Sequence, residues 1–433
     1  FAVEGKTYTV EGLTAHAEGT NVSDSKTVPV TGTPVVKDAA GNDVTAQFTV
    51  TTKPGTLTIN PVAIELTAAS DSKPYDGTAL TNNGYTITSG KFVGEEGLES
   101  VTVEGSQTLV GSSNNAITGH KLKEGTLSEN YTITYVNGKL EVTNRTDKYT
   151  INVEANSGEK TYDGTALKVE GFKTLSFTVN GQTYTVSGLT ASAEGTNVSE
   201  SKTVEVTGTP VVKDAAGNNV TAQFTVTTKN GTLTINPVAI ELTADSASKE
   251  YDGKALTKDT YTITNGKFVG EDGLASVTVE GSQTLVGSSN NVITGHKLKE
   301  GTLSENYTIT YVNGELKVTD RTEKYAIEVE ANSGSKTYDG TALKVEGFKT
   351  LSFTANDQIY TVSGLTASAE GTKVSDSKIV TVTGTPVVKD AAGNDVTDQF
   401  TVTTKNGTLT INPVAIELTA ASDSKPYDGT ALT

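Results

Sequence analysis

The chain repeats itself, and this repetition constrains its fold more than any other feature of the sequence. Near-identical segments around Tyr8, Tyr184 and Tyr360 recur every 176 residues. Inside this period a Lys-x-Tyr-Asp-Gly motif recurs at alternating steps of 87 and 89 residues. Its tyrosines are Tyr75, Tyr162, Tyr251, Tyr338 and Tyr427. Because repeats of this length are the size of a small domain, the sequence predicts a tandem array of two alternating module types, A and B, of about 88 residues each.

The alignment of the copies predicts the module boundaries. Residues 62–147 and 238–323 are expected to form B modules, and residues 148–237 and 324–413 to form A modules. Residues 1–61 align with part of an A module, and residues 414–433 align with the start of a further B module. We therefore expect the sequence to be a window onto a longer array.

The residue pattern predicts that every module is all-β. Thr, Val, Ile and Tyr dominate the apolar runs, and no stretch shows a sustained period of 3.6 residues. Asn137-Gly138 and Asn230-Gly231 each lie between two alternating runs, which predicts a hairpin of the last two strands. Pro54 replaces the asparagine in the first copy and excludes a type I′ turn there. Further turns are predicted at Asp214–Asn218 and at Asn180-Gly181.

Two all-β folds fit this pattern. One is a small β-sandwich, and the other is a β-grasp-like module with one helix, for which Gly94–Ser100 is the candidate segment. The connections are short, since Asn236-Pro237 joins A to B and Thr143–Asp147 joins B to A. Short connections limit free swivelling. At about 35–40 Å per module, five module-equivalents end to end predict a stiff rod of roughly 170–200 Å.

Composition and charge exclude several classes of function. The chain has no Cys, so disulfides, thiolate metal sites and a Cys nucleophile are impossible. Its net charge is −17 and is spread evenly, which argues against binding to nucleic acid, because phosphate is neutralised by clustered Lys and Arg. No apolar run approaches the roughly 20 residues that span a bilayer, so we expect no membrane insertion.

No group of residues in the sequence predicts catalysis, a cofactor or a metal centre. His16 is replaced by serine in the other two copies, and His120 and His296 recur without a candidate nucleophile or a second ligand nearby. We interpret them as exposed loop histidines. The Asp214–Asn218 turn offers oxygen atoms to a calcium ion but lacks the alternating acidic residues of a dedicated calcium loop, so we interpret it as a β turn. The expectation is a non-enzymatic chain without cofactors.

The Tyr-Asp-Gly motif and a set of lysines and amides allow two further hypotheses. We interpret the motif as structural, with Tyr packing, Asp capping its own turn and Gly supplying a positive φ, rather than as a glycan contact. A covalent Lys–Asn or Thr–Gln cross-link would release one ammonia per bond. Its candidate residues are Lys160, Lys249, Asn130, Asn306, Gln223 and Gln399. Because the B modules have Asn where the A modules have Gln, one chemistry cannot serve both.

The recurrence of Lys160-x-Tyr-Asp-Gly-Thr-Ala-Leu167 before a β module that ends in Asn-Gly-Thr-Leu-Thr-Ile resembles the bacterial YDG/MBG-type tandem repeat domains. These occur in long extracellular, adhesin-like surface proteins, often anchored to the cell wall of Gram-positive bacteria. The resemblance covers nearly the whole chain. It implies a tandem array of small Ig-like β-sandwich modules, in preference to β-grasp-like ones, that forms part of an extracellular stalk or filament anchored outside this sequence.

Two functions follow from the resemblance. The first is a structural stalk that gives length and stiffness and so projects or connects an adhesive region. The alternative is a multivalent adhesin whose repeats bind host or mucin glycans directly. The expected partners are the neighbouring modules, with self-association into fibres if residues 414–433 complete another copy by strand addition, and glycans through regions outside this sequence.

Overall fold

The computed structural model describes all 433 residues and is all-β, as predicted. It contains 37 strands, eight 3-10 helices and no α-helix. The strands are β1 (Ala2–Val3), β2 (Lys6–Ala15), β3 (Lys26–Val28), β4 (Val30–Asp38), β5 (Gly55–Leu57), β6 (Val62–Ala68), β7 (Asp71–Pro74), β8 (Tyr85–Ser89), β9 (Leu98–Glu104), β10 (Gly111–Leu122), β11 (Tyr131–Val136), β12 (Gly138–Thr143), β13 (Tyr149–Glu154), β14 (Gly158–Thr161), β15 (Leu167–Glu170), β16 (Ser176–Val179), β17 (Gln182–Gly195), β18 (Lys202–Val204), β19 (Val206–Asp214), β20 (Phe224–Lys229), β21 (Gly231–Asn236), β22 (Val238–Ala244), β23 (Ala247–Glu250), β24 (Tyr261–Asn265), β25 (Leu274–Glu280), β26 (Gly287–Leu298), β27 (Tyr307–Val312), β28 (Gly314–Thr319), β29 (Tyr325–Glu330), β30 (Gly334–Thr337), β31 (Leu343–Glu346), β32 (Ser352–Ala355), β33 (Gln358–Gly371), β34 (Lys378–Val380), β35 (Val382–Lys389), β36 (Phe400–Lys405) and β37 (Gly407–Asn412).

The 3-10 helices are single turns that precede particular strands. They are Val22–Asp24, Thr45–Gln47, Ser128–Asn130, Val198–Glu200, Thr221–Gln223, Ser304–Asn306, Val374–Asp376 and Thr397–Gln399. The chain divides into two compact units. The first comprises residues 1–158, 168–193 and 202–233, and the second comprises residues 159–167, 194–201 and 234–433.

In the first unit, β6–β12 form two sheets that pack on each other. One sheet has the order β11-β6-β8 and the other has the order β7-β12-β10-β9. A buried cluster between them takes Ile64 and Leu66 from the first sheet and Val103 and Ile117 from the second. Each sheet contains one parallel pair, β11 with β6 in the first and β12 with β7 in the second, and the other strand pairs are antiparallel.

The second unit repeats this arrangement and adds a complete A-type copy. Strands β22–β28 form the sheets β24-β22-β27 and β23-β28-β26-β25. In the A-type copy, β29 pairs with β36 in parallel, and β37 lies between β30 and β34. A further sheet has the order β31-β33-β32, with β35 also pairing with β33.

The predicted closing hairpin is wrong. The two strands on either side of Asn137-Gly138 do not pair with each other: β11 pairs with β6, and β12 pairs with β7 and β10. The same holds for β36 and β37 around Asn406-Gly407. The Asn-Gly segment therefore connects two different sheets instead of turning back within one sheet.

The glycine of this connection is required by space and not by a positive φ. None of these glycines has a positive φ, and neither do the asparagines before them, so proline is accepted at the asparagine position, as Pro54 shows. A Cβ on Gly138 would lie 2.3 Å from the carbonyl oxygen of Ala69, and a Cβ on Gly231 would lie 2.0 Å from that of Asn156. The first strand of the module passes too close to the connection for any side chain.

Other local predictions are confirmed. Leu140 is fully buried between the exposed ion pair Lys139–Glu141, in agreement with the alternating run predicted after Asn137-Gly138. The Asp214–Asn218 turn closes with its Asp214 side chain bonded to the amide of Asn218, and Asn180-Gly181 forms a turn with two positive φ angles. The helix of the β-grasp alternative is absent, since Gly94–Ser100 contains a turn followed by the start of β9.

Candidate functional site: the junctions between modules

The Lys-x-Tyr-Asp-Gly motif forms the same local turn in its first four copies. In the first copy, the Asp76 carboxylate accepts hydrogen bonds from the Lys73 ammonium at 2.8 Å and from the backbone N–H of Thr78 at 2.9 Å. Gly77 has a φ of 81°. Asp therefore caps its own turn, as predicted, and the turn fixes the direction in which the tyrosine points.

In the first unit, Tyr75 packs as predicted, and it does so against a neighbouring module. Its side chain is 1% exposed and its hydroxyl lies 3.4 Å from the hydroxyl of Tyr184. One buried cluster contains Leu140 and Val142 of the predicted B module together with Ile151 and Tyr184 of the predicted A module. The core is thus continuous across this B-to-A junction.

The second unit contains the same junction. Tyr251 and Tyr360 belong to one buried cluster and are 1% and 0% exposed. A Cβ on Gly253 would lie 2.1 Å from the hydroxyl of Tyr360, so the last residue of the motif must be glycine for the tyrosine of the neighbouring module to fit. Burial raises the pKa of Tyr75 and of Tyr251, because the phenolate cannot be solvated there.

The only two arginines of the chain lie at the two B-to-A junctions. The Arg145 guanidinium donates from Nη1 to the carbonyl of Tyr75 at 3.2 Å and stacks 4.1 Å from the ring centroid of Tyr149. Arg321 does the same with the carbonyl of Tyr251, and its guanidinium lies 3.9 Å from the ring of Tyr325. Each arginine thus contacts the motif of the upstream module and the first strand of the downstream module.

At the A-to-B junction of the second unit, the motif tyrosine makes a polar contact. The hydroxyl of Tyr162 donates to Asp272 Oδ2 at 3.1 Å, and the hydroxyl of Tyr307 donates to the same atom at 2.7 Å. The two rings meet edge to face at 5.7 Å. In the first unit, the equivalent position beside Glu96 and Tyr131 is a cavity of about 180 Å³.

All four junctions share one further contact, which we call the amide clasp. A side-chain amide at the start of the penultimate strand of the downstream module donates to an Asn or Asp oxygen upstream and accepts from the next backbone N–H. At the A-to-B junctions, Asn130 bonds Asn21 and Val22, and Asn306 bonds Asn197 and Val198, at 2.8–2.9 Å. At the B-to-A junctions, Gln223 bonds Asn144 and Arg145, and Gln399 bonds Asp320 and Arg321, at 2.6–2.9 Å.

Three of the four clasp amides are buried, and the fourth, Asn130, is half-buried. Gln223 and Gln399 are each 3% exposed and Asn306 is 1% exposed. Gln47 stands at the same position of the first A-type copy, which has no upstream partner in the chain, and it is exposed. Burial of these amides is therefore a property of the junction.

The structure does not bring the cross-link candidates together. Lys160 Nζ bonds Asp163 at 2.6 Å, and Lys249 Nζ bonds Asp252 at 2.6 Å. The amides of the hypothesis are the clasp amides, and their partners are other than lysine. The histidines also have local partners: His16 lies 3.1 Å from Glu18, and His120 and His296 each lie 2.5 Å from a tyrosine hydroxyl.

One segment of the chain matches the model of a known domain family. Residues 240–317 match the family model of the MBG domain (YGX type). This confirms the resemblance that the repeated motif indicated. The matched MBG domain begins inside β22 and ends inside β28, so it covers the predicted B module 238–323 almost completely. No curated protein matches the chain.

MBG domains are structural repeat domains of surface proteins, and catalysis is not a property of the family. The buried polar side chains of this chain lie both at the junctions, as Gln223, Asn306 and Gln399 do, and inside the B-type copies, as Asn115 and Asn291 do. The structure contains no helix with the length and hydropathy of a membrane span.

Sequence reasoning missed the role of the arginines and of the amides. One signal was available for the arginines: two occurrences in 433 residues, 176 residues apart and both directly after the last strand of a B-type copy. The amides carried no comparable signal, because their partners lie 78–109 residues away in the chain.

Proposed function

We propose that this chain is a structural stalk or filament segment of a bacterial cell-surface protein and that its task is to provide length and stiffness. The observation that carries the proposal is the set of four junctions, each with a buried or half-buried side-chain amide bonded across it. Such contacts oppose rotation of one module against the next. A module that acted alone would have no use for them.

The B-to-A junctions support this proposal most strongly. There the hydrophobic core, the tyrosine pair, the arginine and the amide clasp all connect neighbouring modules. Large-to-small substitutions in such a core cost about 2–5 kcal/mol, far more than thermal energy. Bending at these junctions would therefore require breaking contacts that normally persist.

Small-angle X-ray scattering of the chain tests the proposal. We expect a stiff particle with a maximum dimension on the order of 170–200 Å, since five module-equivalents at 35–40 Å each would lie end to end. The double variant Arg321→Ala/Gln399→Ala should broaden the distance distribution. A compact particle, or modules that already tumble independently before substitution, would refute the stalk.

The extracellular and cell-wall location belongs to the same proposal and rests on the MBG family. An adhesin whose repeats bind glycans directly is the alternative. Incubation of the chain with an array of host and mucin glycans separates the two functions: we expect no saturable binding, whereas saturable binding by the repeats would favour the adhesin.

A further inference from the structure

The amide clasp has two forms that differ in geometry as well as in residue type. In A modules the amide is Gln, and its partners are the two residues directly after the last strand of the B module, Asn144-Arg145 or Asp320-Arg321. In B modules the amide is Asn, and its partners begin or precede a 3-10 helix of the A module, Asn21-Val22 or Asn197-Val198. The Gln form reaches back 78–79 residues in the chain, and the Asn form reaches back 108–109.

The linker after an A module cannot accept the Gln form. That linker is Asn60-Pro61, Asn236-Pro237 or Asn412-Pro413. It offers an asparagine oxygen but no following N–H, because proline has none. The Asn236 side chain is, in addition, already bonded to Glu159 Oε1 at 2.6 Å. If a Gln amide followed this linker, its Oε1 would have no backbone N–H to accept from.

The end of a B module cannot accept the Asn form. The partner of that form is the Asn-Val pair at the 3-10 helix of Val22–Asp24 or Val198–Glu200. In the B-type copies the only 3-10 helices are Ser128–Asn130 and Ser304–Asn306, which carry the clasp amide itself. A B module placed after another B module would bury an asparagine with neither partner.

We propose that the amide clasp determines module order: Asn accepts only an A module upstream, Gln accepts only a B module upstream, and strict alternation follows. The physical basis is that a buried amide without partners is costly, while the same amide in the correct order makes two hydrogen bonds. The partner recognised by each end surface is thus a second MBG-type module of the opposite type. This inference does not depend on the array being a stalk.

Hydrogen exchange on the full chain tests the reach of the amide. The backbone N–H of Arg321 donates to Gln399 Oε1, so its protection reports the clasp directly. We expect Gln399→Asn to accelerate exchange of that N–H by about 5- to 150-fold, as much as Gln399→Ala does, because the shorter side chain does not reach. Arg145, the partner of the unchanged Gln223, is the internal control. Protection in Gln399→Asn equal to the parent chain would overturn the proposal.

Rearrangement of the modules tests the order itself. In a chain whose residues 238–323 are replaced by a second copy of residues 148–237, the inserted copy and the A module of residues 324–413 each follow an Asn-Pro linker, while residues 148–237 keep their B-to-A junction. We expect the N–H groups of the buried strands to stay protected and the new A–A junctions to be cleaved readily by thermolysin. Replacing each Asn-Pro of those linkers by the sequence of residues 144–147 should restore resistance. A–A junctions that resist cleavage without this replacement would show that order is not encoded there.

Discussion

Removing one hydroxyl group, in Tyr162→Phe, should loosen the A-to-B junction without disturbing either module. The Tyr162 hydroxyl donates to Asp272 Oδ2 at 3.1 Å, and the phenylalanine ring keeps the edge-to-face contact with Tyr307. The chain supplies a matched control in Tyr338→Phe. Tyr338 stands at the same place of the next A-type copy, but its side chain is 43% exposed and its hydroxyl has no partner.

The magnitude follows from the contact that is lost. A hydrogen bond to a charged group contributes about 1.5–3 kcal/mol. The contact is only partly buried, and the Asp272 carboxylate keeps the Tyr307 hydroxyl as a donor at 2.7 Å, so we expect a loss near the lower end, about 1–1.5 kcal/mol. This corresponds to opening of the junction that is about 5- to 10-fold more frequent.

The assay is hydrogen exchange at the backbone N–H of Val198, which donates to Asn306 across the same junction. We expect exchange to accelerate by about 5- to 10-fold in Tyr162→Phe and to stay within about 2-fold of the parent in Tyr338→Phe. Equal effects of the two substitutions would refute the reasoning, because they would place the role of the motif tyrosine inside its own module.

Three further outcomes are expected. Gly231→Ala should destabilise its module by more than about 2 kcal/mol, because the new Cβ would lie 2.0 Å from the Asn156 carbonyl oxygen. Gly55→Ala should cost less than about 1 kcal/mol, because no atom would lie closer than 3.7 Å to the new Cβ. Thermal unfolding of the two variants compares these losses of stability. The hydrogen bond from Lys160 holds the pKa of Asp163 well below its usual 3.8. The stability that the ionised Asp163 contributes is therefore complete above pH 3.8 and disappears as the pH falls through the lower native pKa. Lys160→Met should bring the pKa of Asp163 back up in an NMR titration. In alkali, seven of the 16 tyrosines should ionise at higher pH than the rest, because burial raises their pKa. The stability that they contribute is complete below pH 10 and disappears above it. Ultraviolet absorbance during a titration checks the number, and sixteen uniform ionisations would contradict the buried pairs. These seven are Tyr75, Tyr131, Tyr162, Tyr184, Tyr251, Tyr307 and Tyr360.

The predictions that succeeded depend on neighbours in the chain. The alternation around Leu140, the cap of Asp76 on its own turn and the positive φ of Asn180-Gly181 all involve residues within a few positions of one another. The Asn-Gly hairpin failed because the same dipeptide suits two structures. What decides between them is the path of the first strand, which lies about 70 residues away in sequence and pairs with the penultimate strand in parallel.

The candidate site shows the same division. From the sequence, the motif tyrosine was expected to pack, and Asn130 and Gln223 were candidates in the cross-link hypothesis. Tertiary structure gave these residues different roles, because contacts such as Tyr75 with Tyr184 join residues 109 positions apart. No local propensity specifies which module end meets which strand.

Amino-acid order alone thus determined that the chain is a β-rich array with a fixed period, because strand alternation and turn chemistry are short-range properties written into each repeat. Only the folded chain decided that side-chain amides such as those of Asn306 and Gln399 are buried between repeats. A buried amide is costly unless it finds both of its partners, and those partners come together only when two modules meet.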